Sequence, residues 1–191
     1  MIIRFNEIDN LALKGKTIAF PTDTIYGVGA IVNDEEAISK IYDLKNRDYS
    51  KPLVILAANI SQIKGLVKDF SLAQKASQFW PGAITFIFRK DNVSNSISKS
   101  DTVGIRIPDS KVARDLLLKV GPMAVTSVNL SGEPSAITLE EVRQFEIDYI
   151  ISDECIGSNK ASTVVDLYNM RILREGTVSR EELISVFEGL N

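Results

Sequence analysis

Short apolar runs that alternate irregularly with amphipathic segments constrain this chain more than any other feature. The runs are Thr17-Ile18-Ala19-Phe20, Val28 to Val32, Leu53 to Ala58, Ala83 to Arg89, Thr102 to Ile107 and Met123 to Val128. Each has strand length and is rich in β-branched and aromatic residues, which suits a pleated, buried surface. Between them, Ala37, Ile38, Ile41 and Leu44 recur at helical spacing, with Asn33 or Asp34 as the N-cap. A second amphipathic helix is predicted over 110–120, ahead of the strand at 123–128. Thr138 with Glu141, and Ser179 with Glu182, read as capping boxes that open two further helices. Residues 59–79 hold two short helical patterns broken near Phe70-Ser71, and Trp80-Pro81-Gly82 stops the second. Further strands are expected near 149–152, 163–168 and 171–174, and the polar stretches 91–101 and 129–136 read as loops. Strands and helices interleave without a strict βαβ period, which predicts an α/β fold: a mixed sheet with flanking helices. No internal repeat or linker interrupts it, so residues 1–191 are read as a single domain.

Composition then limits the chemistry. The 191 residues include no histidine and one cysteine, and the formal net charge is -3. Serine–histidine and cysteine–histidine machinery and histidine-bearing zinc sites are excluded, and so is a cysteine-built metal cluster. Catalysis must use carboxylates, Lys, Arg, hydroxyls, backbone amides or a metal that arrives with a substrate. Phosphoryl or nucleotidyl transfer fits, because positioning and charge neutralisation carry most of it. A global basic field for nucleic acid is absent. The sequence has no signal-peptide pattern and no apolar run of membrane-spanning length, so a cytoplasmic location is expected.

Polar clusters sit where the strands end. Thr22-Asp23-Thr24 with Tyr26-Gly27 either holds an amino acid's amine and hydroxyl or is an ordinary polar turn. Lys45, Arg47 and Lys51 either grip a triphosphate or complement a helix C-terminus. Trp80-Pro81-Gly82 with Thr85 is either a core tryptophan on a turn or a stacking platform. Arg106, set between Ile105 and Ile107, must face a partner, either a ligand carboxylate or a structural acid. Thr126 to Gly132 leaves a strand with hydroxyls and an amide, as an anion nest or a hydrogen-bonded turn. Ser162-Thr163 with Asp166, and Arg174-Glu175-Gly176, complete the set. Gly27-Val28-Gly29 is no dinucleotide fingerprint, because Val32 occupies the third glycine's place. Cys155 has no basic neighbour in sequence and reads as an ordinary thiol.

Taken in order, Pro21 to Gly27, Lys45-Asn46-Arg47 with Lys51-Pro52-Leu53, Trp80-Pro81-Gly82, Val103 to Pro108, Thr126 to Gly132 and Ser162 to Asp166 resemble the YrdC-like threonylcarbamoyl-AMP synthases, in their short, single-domain form. The resemblance runs from about residue 8 to residue 176. It implies a twisted open sheet around a deep electropositive cavity. It implies an enzyme, a nucleotidyltransferase that makes threonylcarbamoyl-adenylate and pyrophosphate from L-threonine, bicarbonate and ATP for tRNA modification. Mg²⁺ would arrive with ATP, and no protein metal ligands are implied. Threonine would meet Thr24, Arg106 and Ser162. ATP would meet Lys45, Arg47, Lys51, Thr102, Ser127, Asn129, Ser135 and Arg174, with Lys45 and Arg47 as the catalytic cations. The product would pass to a tRNA threonylcarbamoyl transferase, and direct contact with tRNA or other RNA is left open. Leu56 stands where longer relatives often carry a histidine, and Val128 replaces the usual alanine before Asn129. Two other readings remain: an RNA-binding module without its own chemistry, and a carbamoyl-transfer domain of the hydrogenase-maturation type. The acidic balance weighs against the first, and the single cysteine against the second.

Overall fold

The computed structural model describes residues 1–10, 12–153 and 157–190, so the reading of Cys155 falls outside the described residues. Among the described residues ten strands form one sheet: β1 (Ile2–Ile3), β2 (Ile18–Pro21), β3 (Tyr26–Ile31), β4 (Val54–Leu56), β5 (Ile84–Arg89), β6 (Thr102–Arg106), β7 (Met123–Ser127), β8 (Tyr149–Ile151), β9 (Thr163–Asp166) and β10 (Arg171–Arg174). Their order is β1-β8-β2-β3-β7-β4-β6-β5-β9-β10. Pairs β1·β8, β2·β8, β4·β6 and β5·β9 are parallel, and the other five are antiparallel. The open mixed sheet with flanking helices is the fold expected from the sequence.

Both faces of the central strands are covered, which explains why the apolar runs are nearly continuous. Along β4, Ile55 joins one apolar cluster, while Val54 and Leu56 join the other. On the first face α1 (Glu35–Leu44) packs with Ala37, Ile38, Ile41 and Tyr42 buried. On the second, α3 (Lys111–Val120) buries Ala113, Leu116 and Leu117 against Phe20, Met123 and Val125. Between them in sequence lies α2 (Phe70–Ala76). Truncating a core side chain such as Ile41 to Ala would cost roughly 2–5 kcal/mol.

The caps follow the sequence closely. Asp34 and Ser110 accept from Ala37 N and Ala113 N at the starts of α1 and α3. Both predicted capping boxes are present, opening α4 (Leu139–Val142) and α5 (Arg180–Ile184). Three features differ from expectation. The two-residue edge strand Ile2–Ile3 and the 3-10 turn Phe5–Asn10 are too short to leave a periodic signal. The break expected near Phe70 is a helix start, because the Asp69 carboxylate accepts from Leu72 N at 3.0 Å and caps α2. Strand β9 stops at Asp166, short of the predicted 168, because that carboxylate accepts from the backbone of Tyr168 and Asn169 and turns the chain.

Candidate functional site

The register of the central strands assembles the floor of a cavity. Leu56 pairs with Arg106 across β4 and β6, and Thr85 pairs with Val164 across β5 and β9. Thr85 lies one residue beyond the Phe86–Ile105 pair, so Arg106 and Thr85 face the same side. Gly27 and Gly29 belong to β3 for a packing reason. A Cβ at either position would lie within 2.8 Å of a Val125 methyl across the β3–β7 ladder. The resulting cavity has a volume of about 330 Å³, in the range of small-molecule sites.

Three arginines enter its wall, and among the described residues no carboxylate lines it. Each guanidinium is pinned by its Nε to a backbone carbonyl: Arg47 to Lys51 at 3.2 Å, Arg106 to Gly82 at 3.0 Å and Arg174 to Ser162 at 2.9 Å. Arg106 is 6 % exposed. Its Nη1 donates to Thr24 Oγ1 at 2.9 Å, and its Nη2 pairs with Asp23 at 2.5 Å. The sequence left open a ligand or a structural acid as the partner of Arg106, and Asp23 is the structural one. Burial lowers the proton affinity of all three guanidiniums, which offsets little of a group that stays cationic at neutral pH.

A helix cap delivers Arg47. Helix α1 ends with Asn46 in the left-handed region at φ 47°. Asn46 N donates to Asp43 O and Arg47 N to Tyr42 O, a Schellman closure that turns the chain back to the sheet. Lys45, one residue earlier, points the other way. It is 1 % exposed, and its ammonium donates to Ser127 O at 2.5 Å, Asn129 O at 2.7 Å and Asn129 Oδ1 at 2.7 Å. Burial, helped by the Arg47 charge, pushes Lys45 down to about 8. Its three hydrogens are committed to the protein, so Lys45 pins α1 to the exit of β7 from behind the wall.

Hydroxyls complete the buried end. Thr22 Oγ1 lies 2.9 Å from Thr24 Oγ1 and donates to Ile25 O at 2.6 Å. Thr85 Oγ1 lies 3.0 Å from Ser162 Oγ, which also accepts from Arg174 at 3.3 Å. Trp80 is core: its Nε1 donates to Ile84 O at 3.0 Å, and its ring meets Phe86 edge-on. The turn after it serves the site by presenting Gly82 O to Arg106.

Of the residues predicted from sequence, Thr24, Arg47, Arg106, Ser127, Ser135, Ser162 and Arg174 line the cavity together. Four do not. Lys45 is sealed behind the wall. Asn129 is occupied by Lys45, Ser127 and the carbonyls of Leu130 and Glu133, which hold the 129–135 loop. Lys51 is exposed, with Nζ 3.5 Å from Ser131 Oγ. Thr102 begins β6, at the opposite end from Arg106, paired with Arg89. Thr22, which the sequence placed in a polar cluster able to hold an amino acid, and Thr85, which it placed beside Trp80, also line the cavity; Val164 had no predicted role, and the alternation of strand side chains about Arg106 was the signal for Thr85 and Val164. Among the described residues no cluster of carboxylates forms a metal site, and no helix is long and apolar enough to cross a membrane.

Comparison with known proteins identifies the family and agrees with the fold. The profile of the Sua5/YciO/YrdC family, described as "Telomere recombination", matches residues 10–176. A threonylcarbamoyl-AMP synthase of Pyrococcus abyssi is 35% identical over 186 residues, covering 91% of this chain and 54% of its own. One from Vibrio parahaemolyticus is 33% identical over 182 residues, covering 90% of this chain and 98% of its own. A crystal structure of P. abyssi Sua5 complexed with L-threonine matches with a TM-score of 0.91 at 31% identity, over 100% of this chain and 62% of that one. The chain therefore spans less than two thirds of the Pyrococcus proteins and nearly all of the Vibrio one.

Proposed function

This chain belongs to the Sua5/YciO/YrdC family, and on that premise we propose that it is a threonylcarbamoyl-AMP synthase, joining L-threonine, bicarbonate and ATP into threonylcarbamoyl-adenylate with release of pyrophosphate. The observation that carries the reading is the wall of three backbone-pinned arginines without a carboxylate among the described lining residues. Such a wall suits a ligand set with several anionic groups held at once.

The chemistry asks for little else. The threonine amine adds to bicarbonate, losing water, to give a carbamate. A carbamate oxygen then attacks the α-phosphorus, the bond to the β-phosphate oxygen breaks, and pyrophosphate departs. No protein nucleophile enters, in keeping with a chain that has no histidine. MgATP is the substrate form, so the metal comes with the nucleotide.

Arg106 spends three of its five hydrogens on Gly82, Thr24 and Asp23. One hydrogen remains on each terminal nitrogen, enough for a bidentate grip on the threonine carboxylate. Arg47 and Arg174 each spend two on the protein, which leaves three for phosphate oxygens. Lys51 adds an exposed charge in the segment that pins Arg47. Ser127 and Ser135 stand beside the nucleotide, and Lys45 and Asn129 shape that wall without touching phosphate. Binding both substrates in one pocket turns an encounter in solution into a local one, the main source of rate here. The adenylate is then passed to a tRNA threonylcarbamoyl transferase.

The test is pyrophosphate release from MgATP and bicarbonate, with and without L-threonine and with serine as a control. Threonine-dependent pyrophosphate with an adenylate product is expected. Folded protein that released none, yet bound RNA with a steep salt dependence, would replace the enzyme by the RNA-binding reading.

A further inference from the structure

Counting hydroxyl hydrogens at the buried end of the cavity separates two kinds of group. Thr22 gives its only hydroxyl hydrogen to Ile25 O at 2.6 Å, so the 2.9 Å contact between Thr22 and Thr24 is donated by Thr24. Thr24 Oγ1 also accepts from Arg106 Nη1. Thr24 is left with an acceptor lone pair and no hydrogen. The pair Thr85 and Ser162 has the opposite balance. The two hydroxyls bring two hydrogens and use one between them across 3.0 Å. Arg174 donates into Ser162 and so takes none. Whichever way the pair is oriented, one hydrogen remains, on a pair that is buried and lines the cavity.

A threonine zwitterion has three polar groups, and each finds one match. The carboxylate takes the two remaining Arg106 hydrogens. The ammonium can only donate, so it suits Thr24 Oγ1 and cannot use the remaining hydrogen of the Thr85–Ser162 pair. That hydrogen suits the substrate's side-chain hydroxyl oxygen. Val164, the cross-strand partner of Thr85, offers an apolar surface beside it for the substrate's methyl.

We infer that Ser162 donates to Thr85 and that the hydrogen left on Thr85 reads the side-chain hydroxyl of the amino-acid substrate. This rests on the synthase reading above and adds to it a group that distinguishes threonine from its deoxy analogue. A site built to hydrogen-bond a substrate hydroxyl rejects the analogue that lacks it, because the buried protein group is then left unpaired.

The experiment compares L-threonine with L-2-aminobutyrate, which has hydrogen in place of the hydroxyl. Binding is measured by calorimetry and turnover by pyrophosphate release, on the full chain and on Thr85→Val and Thr85→Ser. Thr85→Val is expected to weaken threonine binding on the order of 10-fold to 100-fold and to leave 2-aminobutyrate within about 3-fold. Thr85→Ser is expected to restore the preference. Equal weakening of both amino acids would overturn the inference, since it would mark a purely structural role. Unchanged threonine affinity in Thr85→Val would overturn it as well. Selective loss of threonine binding without pyrophosphate release from any variant would uphold the hydroxyl contact while removing the synthase reading.

Discussion

The buried and open ends of the cavity are built on different scaffolds. At the buried end, Arg106, Thr85, Ser162 and Val164 stand on or beside strands β5, β6 and β9, and the ladder register sets their spacing. At the open end, Arg47 hangs from a helix cap, and Ser135 and Lys51 lie on loops. The buried end is suited to a small substrate whose hydrogen-bond pattern must be matched atom by atom. The open end is suited to a flexible chain of phosphates, where summed charge matters more than any one geometry. A strand-borne group has little freedom to adjust, so its loss should be severe, whereas loop-borne groups should compensate for one another.

Breaking the buried end has the largest expected effect. Arg106→Ala leaves the partly buried Asp23 without its partner, which costs up to about 3 kcal/mol of stability. It should also lower threonine-dependent turnover on the order of 1000-fold, as expected when a buried charged contact to substrate is removed. ATP affinity, measured separately, should change little. Turnover that survived the change would detach threonine from this end.

Lys45 tests the boundary between the two ends. Lys45→Met takes the ammonium from two part-buried carbonyls, Ser127 O and Asn129 O, while Asn129 Oδ1 keeps the Ser127 hydroxyl, and should cost roughly 2–3 kcal/mol. Its pH signature is more specific. The folded value of about 8 lies below the 10.5 of an unperturbed lysine. Between those two pH values the unfolded chain holds more protons at this site, so raising the pH adds stability from this residue. Urea midpoints at both ends of that window should show this rise in the native chain and lose it in Lys45→Met.

The cap that aims Arg47 should respond more gently. Asn46→Ala forces a β-carbon other than asparagine's into the left-handed region, worth about 1 kcal/mol and a fall in Tm of about 2–4 °C. The ATP KM should rise with it, and Asn46→Gly should restore both. Smallest of all, Lys51→Ala should raise the ATP KM only about 2-fold to 5-fold, as an exposed charge contributes little. That effect should vanish in about 0.5 M salt. A Lys51 effect as large as that of Arg106 would erase the contrast between the ends.

How much of this was legible without coordinates depends on the range of the interaction involved. Strand and helix positions were readable, as were three of the caps, because periodicity and capping are local in sequence. Asp69 was missed as a cap, and Ile2–Ile3 as a strand, since one is a single carboxylate and the other is too short to alternate. The site was legible as a set of strand-end polar clusters, and seven of its expected residues do converge. Lys45 and Arg47, however, look equivalent in sequence. Both are cations near a helix end, and nothing local says that one is sealed while the other faces the cavity.

The sequence by itself determined the fold class, three of the helix caps, the freedom from histidine chemistry and the family, because these follow from composition, short-range pattern and ordered motifs. Only the tertiary structure decided which cation is available to a ligand and which hydroxyl still has a hydrogen to give. Ser127 and Asn129 reach Lys45 from more than 80 positions along the chain, and Ser162 reaches Thr85 from 77. Hydrogen-bond inventories at such separations are settled by sheet register, a property of paired strands that no single strand carries.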